Sequence, residues 1–168
     1  SVHGFDAETG ELLWKHGHIN SYSVHPNVPV YIDGYLYCTI GYGVGGVMLQ
    51  LSPDGKKVTE VWKNAKHDPK IGGFVVLGGR IYGAGDFNRS FFCLDWKTGR
   101  IIYQVNELAP SNIIANNGLF YVYAERGTVN LVEPTGTGIN IVSSFRVPRG
   151  SGPHWAHLVI KDKRLYVR

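Results

Sequence analysis

Two columns of residues recur in step along this chain, and a period shared by two independent columns constrains the fold more than any local preference. The first column is a turn followed by a strand-like run: Asp33-Gly34-Tyr35-Leu36-Tyr37, Gly78-Gly79-Arg80-Ile81-Tyr82, Asn117-Gly118-Leu119-Phe120-Tyr121 and Asp162-Lys163-Arg164-Leu165-Tyr166. Its tyrosines, Tyr37, Tyr82, Tyr121 and Tyr166, lie 45, 39 and 45 residues apart. The second column is another turn, at Thr9-Gly10, Asp54-Gly55, Thr98-Gly99 and Thr135-Gly136, with glycines spaced by 45, 44 and 37.

Each unit reads as a four-stranded meander. A turn glycine, often preceded by Asp or Asn, supplies the positive backbone angle of a tight hairpin, so the apolar runs on either side become antiparallel partners. Val28 to Ile32 pairs with Tyr35 to Ile40, Phe74 to Leu77 with Arg80 to Ala84, and Asn112 to Ala115 with Leu119 to Ala124. Third strands follow at Val47 to Leu51, Phe91 to Asp95 and Thr128 to Val132, and fourth strands at Lys57 to Trp62, Arg100 to Val105 and Ile139 to Val147. Such a unit, repeated about every 40 to 50 residues, predicts an all-β fold, a β-propeller of four-stranded antiparallel blades. Residues 28–63, 72–105 and 111–147 are expected to be complete blades, with half blades at 1–15 and 156–168. The expectation is a single partial propeller over 1–168, a fragment of a larger ring. A solenoid fits less well, because the units contain no helix and no coil of constant length.

Composition agrees with strands. Glycine at 22 and 21 aromatic residues (10 Tyr, 7 Phe, 4 Trp), set against one methionine, favour short strands and tight turns. No stretch approaches the roughly 18 consecutive apolar residues of a membrane-spanning helix, and no basic-then-apolar segment follows Ser1, so no targeting signal is visible. The formal net charge of +4 comes from dispersed cations rather than a basic stripe, which argues against nucleic acid as a partner. Cys38 and Cys93 stand too far apart for a zinc knuckle or a dithiol motif and are expected to be buried free thiols. Gly41-Tyr42-Gly43-Val44-Gly45-Gly46 satisfies a dinucleotide-binding pattern only formally, since a strand rather than a helix follows it.

The segment Gly4-Phe5-Asp6-Ala7-Glu8-Thr9-Gly10-Glu11-Leu12-Leu13-Trp14 resembles the tryptophan-docking repeat of the quinoprotein (PQQ-like) β-propellers. That pattern runs small residue, any residue, Asp, three residues, Gly, three residues, Trp. Cys93 to Tyr103 is similar, with Tyr103 in place of the tryptophan. The other copies depart from it. Asp54-Gly55 leads to Trp62 three residues late, and near Gly136 the aspartate is replaced by Glu133 and the ring, Phe145, follows an insertion at Thr137-Gly138. In this pattern Asp6 and Asp95 accept hydrogen bonds from the turn, Gly10, Gly55, Gly99 and Gly136 permit the reversal, and Trp14, Trp62 and Tyr103 wedge between blades. These residues are expected to be structural.

The resemblance implies one of two functions. Quinone-dependent alcohol or sugar dehydrogenases of this superfamily hold pyrroloquinoline quinone (PQQ) beside calcium, whereas members without quinone act as binding or assembly scaffolds. No adjacent cysteine pair and no evident cluster of calcium ligands occur here, so the reading is a scaffold for protein partners or for a small-molecule ligand at the propeller mouth. A carbohydrate-active propeller, with carboxylates contributed by different blades, is the further alternative. The resemblance also implies an extracytoplasmic bacterial protein, periplasmic or secreted.

In a meander propeller, every connection from the outermost strand of one blade to the innermost strand of the next lies on one rim. These connections hold His16, His18, His25, His67 and His154, with His157 at the border and Lys66, Asp68, Arg146, Arg149 and Trp155 nearby. Propellers place ligand sites there by loop variation. The expected ligand-rim residues are His16, His18, His67, His154, His157, Trp155 and Arg149, suited to an anionic or metal-assisted ligand. The competing reading is that long polar loops simply collect histidine.

Overall fold

The computed structural model describes residues Ser1 to Arg168 and contains sixteen strands and no helix. β1 (Val2–Phe5) and β2 (Leu12–His16) form a two-stranded sheet. Three four-stranded antiparallel sheets follow: β3 (Val30–Ile32) to β6 (Val58–Asn64), β7 (Val75–Leu77) to β10 (Ile101–Val105), and β11 (Ser111–Asn116) to β14 (Ile139–Arg146). Within them lie β4 (Tyr35–Ile40), β5 (Gly45–Leu51), β8 (Arg80–Ala84), β9 (Phe91–Asp95), β12 (Leu119–Ala124) and β13 (Thr128–Pro134). β15 (Val159–Lys161) and β16 (Arg164–Tyr166) form a last two-stranded sheet. Each complete sheet has its strands in sequence order, the meander that builds a propeller blade.

The hydrophobic core is divided among the seams between blades. Side chains alternate faces along a strand, so a blade with neighbours on both sides buries both sets. On β9, Phe92 and Leu94 pack with Tyr37 and Met48 of the preceding blade, while Phe91 and Cys93 pack with Ile113, Phe120 and Val132 of the following one. Val2 of the first half blade packs on Cys38, Val47 and Leu49, and Leu165 of the last packs with Tyr123, Val129 and Leu158.

The docking contacts are hydrogen-bonded across seams. Trp14 Nε1 donates to the Gly55 carbonyl at 3.0 Å, and Trp62 Nε1 to the Trp96 carbonyl at 3.3 Å. Asp6 Oδ1 accepts from the backbone N–H groups of Glu8 and Thr9, and Asp95 Oδ1 from that of Thr98, so each carboxylate closes its own turn. Gly10, Gly55 and Gly99 have φ of 74°, 69° and 67°, as their turns require.

Two details differ from the repeat as read from the sequence. Gly136 does not occupy the left-handed region. Its turn is closed instead by Thr135, whose Oγ1 accepts from Thr137 and Gly138 N–H. A one-residue register shift recurs in every outermost strand and sets Trp14 opposite Gly4, Trp62 opposite Met48, Tyr103 opposite Cys93 and Ser143 opposite Leu131. This β-bulge therefore gives Ser143, not Phe145, the place of the docking ring, and Phe145 is 51% exposed.

Candidate binding rim

The connections between blades and the turns joining second to third strands meet on one rim. Its most deeply set polar residues are committed to holding blades together. The His67 ring is fully buried between Tyr37 and the second blade, and the Tyr37 hydroxyl and His67 Nδ1 share a hydrogen bond of 2.8 Å. A Cβ on Gly83 would fall 2.5 Å from His67 Nε2, so that position on β8 has room for glycine only. Burial depresses the imidazole to a pKa of about 3 and keeps the ring neutral.

Asp68 is buried as well, without a cationic partner. Its carboxylate accepts from the backbone N–H groups of Gly43 at 2.9 Å, Asp86 at 3.0 Å and Phe87 at 3.1 Å. One side chain thus ties the turn between β4 and β5 to the turn between β8 and β9. Desolvation outweighs those three bonds and holds its pKa above the ordinary carboxylate value.

The other expected residues are distributed around the rim. His16 ends β2, and its Nε2 lies 3.3 Å from Glu60 on the next blade. His18 is buried with Nε2 at 3.0 Å from the Gly45 carbonyl, and desolvation lowers its pKa. His157 lines a groove of about 480 Å³ beside Asn27, Gly73 and Ile113. Only His154, Trp155 and Arg149 come together, in an open cleft of about 420 Å³ that also includes Arg168. His154 Nδ1 is hydrogen-bonded to the Tyr123 hydroxyl, so its ring also spans from loop to blade.

This donor set does not fit a quinone held beside calcium. No three His, Cys, Asp or Glu side chains converge on a point where a metal ion could sit. Asp68, the buried carboxylate of the rim, spends its oxygens on backbone N–H groups, whereas calcium needs six or more oxygen ligands.

What remains facing outward is aromatic and basic. Tyr22 is 68% exposed and packs on Tyr42 with ring centroids 4.6 Å apart. Lys70 Nζ lies 5.1 Å from the Tyr42 ring centre and 5.9 Å from that of Trp155. Trp155, 49% exposed, donates its indole N–H to Glu125 Oε1 at 2.8 Å. Phe87, 69% exposed, stands beside the Gly43 turn. Loops distant in sequence thus compose one arc, Phe87, Tyr22, Tyr42, Lys70 and Trp155. Of these only Trp155 stood out in the sequence; the signal for Tyr42 was a large ring at the tip of a glycine-rich turn.

Fold and rim together define a β-propeller whose loop rim presents exposed rings around a lysine. Among solved structures with this fold is BamB from Moraxella catarrhalis, which superposes with a TM-score of 0.69 at 16% sequence identity. The match covers 99% of this chain and 48% of that one, so the chain spans about half the length of the structure it matches. No protein-family model and no curated protein sequence matches the chain. No helix is long and apolar enough to cross a membrane.

Proposed function

We propose that this propeller is a non-catalytic scaffold that binds a protein partner through its loop rim, in an extracytoplasmic compartment. The observation that carries the reading is the division of labour on the rim. Polar groups suited to chemistry, His67 through Nδ1, Asp68 and His18, are tied into contacts between loops and blades, with His67 Nε2 closed off against Gly83, while Tyr22, Trp155 and Phe87 stay exposed and Tyr42 half-buried around Lys70. Exposed Tyr, Trp and Phe rings bury much area at little entropic cost, which makes them anchors of protein interfaces. The compartment is supported by the resemblance of the Asp6 to Trp14 repeat to quinoprotein-like propellers and by the likeness in fold to BamB.

A photo-crosslinking amino acid at position 22 in the source organism tests this. It should capture a defined protein, and the purified partner should bind the wild-type chain at least ~10-fold more tightly than Trp155→Ala or Tyr42→Ala. His3→Ala, away from the arc, should bind like wild type. Capture of glycans alone, or rim variants that bind like wild type, would refute it.

A further inference from the structure

A cavity lies in the seam between the first two complete blades, among the turns opposite the loop rim. It encloses about 580 Å³ and is lined by Ile32, Asp33, Tyr35, Val61, Val76 and Trp96, with Gly78, Gly79 and Lys97 completing it. The next seam shows what such a place accepts. Tyr35 and Arg80 are equivalent, each the first residue after its hairpin turn. The bulge register likewise makes Lys97 the counterpart of Thr135. In the second seam Arg80 reaches across, and its Nη1 donates to the Thr135 carbonyl at 3.4 Å. In the first seam the residue at that place is Tyr35, which lines the cavity, packs on the core beside it and carries no cation. Asp33 sits at the mouth, exposed and in no ion pair. Hydrogen bonds from Thr98 hold the Asp95 carboxylate below its ordinary value, and the Lys97 cation at the cavity edge adds to this.

We infer that this seam is a second binding site, which takes an arginine side chain from an extended segment of a protein partner. The methylenes lie along Val61, Val76 and the edge of Trp96, and the guanidinium is held by the Asp33 carboxylate and by the Lys97 carbonyl, the counterpart of the Thr135 carbonyl. Arginine suits this place because its planar donors are weakly hydrated and its stem packs on apolar surface. The inference rests on the scaffold reading, in that it assumes a protein partner, but it concerns the opposite rim.

The test uses the peptide acetyl-Leu-Arg-Leu-amide and its citrulline counterpart, which keeps the shape and removes the charge, titrated into the 168-residue chain with amide and indole NMR shifts as readout. The arginine peptide should shift Gly78, Gly79, Lys97 and the Trp96 indole, and the citrulline peptide and Asp33→Asn should each weaken binding about fivefold. Tyr35→Arg should abolish binding while keeping a dispersed spectrum, because it installs within the chain the residue that closes the next seam. Absence of binding, equal binding of citrulline, shifts centred on Trp155, or an unaffected Tyr35→Arg would each overturn the inference. Those results leave crosslinking at position 22 untouched, so failure of this site and failure of the rim reading are told apart.

Discussion

Tyr37 and His67, thirty residues apart in sequence, share a buried hydrogen bond of 2.8 Å where the first complete blade meets the second. The pair explains how a histidine in a polar loop becomes part of the core. The loop after β6 must cross to the next blade, and a residue entering the seam there needs a ring to fill space and a polar atom to meet the tyrosine hydroxyl. Histidine supplies both.

His67 makes stability fall on acidification. Its folded pKa of about 3 lies below the ordinary 6.5, so between those values the unfolded chain binds a proton that the folded chain excludes. Stability is complete above pH 6.5 and declines as pH falls toward 3, by about 2 kcal/mol at pH 5. Asp68 acts in the opposite sense, since its folded pKa is raised above 3.8 and the folded chain binds its proton first as pH falls. Urea unfolding of wild type and His67→Gln at pH 7.5 and pH 5 checks this: the variant should start less stable and lose less.

Asp68→Ala should cost about 1–3 kcal/mol, because it leaves three N–H donors, of Gly43, Asp86 and Phe87, without their buried acceptor while water reaches them in part. Hydrogen exchange localises the effect. The amides of Gly43, Asp86 and Phe87 should exchange faster in the variant, while those of β12 and β13 should change only with global stability.

Gly10 and Gly99 separate backbone strain from packing. Both have positive φ, but a Cβ on Gly10 meets nothing within 4 Å, whereas one on Gly99 would lie 2.3 Å from the Trp62 indole. Gly10→Ala should therefore cost about 1 kcal/mol and Gly99→Ala about 2–4 kcal/mol, read as shifts in denaturant midpoint.

Cys38 should resist thiol reagents in the native state. It is buried, and desolvation pushes its thiol up to about 12, so the reactive thiolate is scarce and inaccessible. Cys93 is buried too, and its pKa is also raised by desolvation. Labelling with an aromatic disulfide should proceed only as the chain unfolds, and the rate should rise with urea.

The strands and their turns were legible because both signals are local. Glycine or Asp-Gly pairs between alternating apolar runs announce hairpins, and Asp33, Asn117 and Asp162 adopt the positive φ such turns require. The roles of Asp6 and Trp14 were legible because the motif spells them out, and Trp62, three residues late, was legible from its place in the repeat. Phe145 was misassigned because spacing alone does not reveal a bulge, which moves the docking position to Ser143. The histidine rim was legible as a place on the topology but not as a set of contacts. Whether His67 faces solvent or Tyr37 depends on a partner thirty residues away and on a glycine at position 83. The arc from Phe87 to Trp155 was legible only in Trp155, since Tyr22, Tyr42, Lys70 and Trp155 meet only once the blades are fanned.

The buried polar groups of the rim belong to the architecture and are unavailable to a ligand. Imidazole NMR resonances of the intact chain, followed from pH 8 to pH 5 with and without added zinc, test it most directly. The His67 resonance should neither titrate nor shift with metal, and should vanish from its native position only on unfolding. A His67 signal that protonates near pH 6.5 in the folded chain, or moves on addition of zinc, would contradict it.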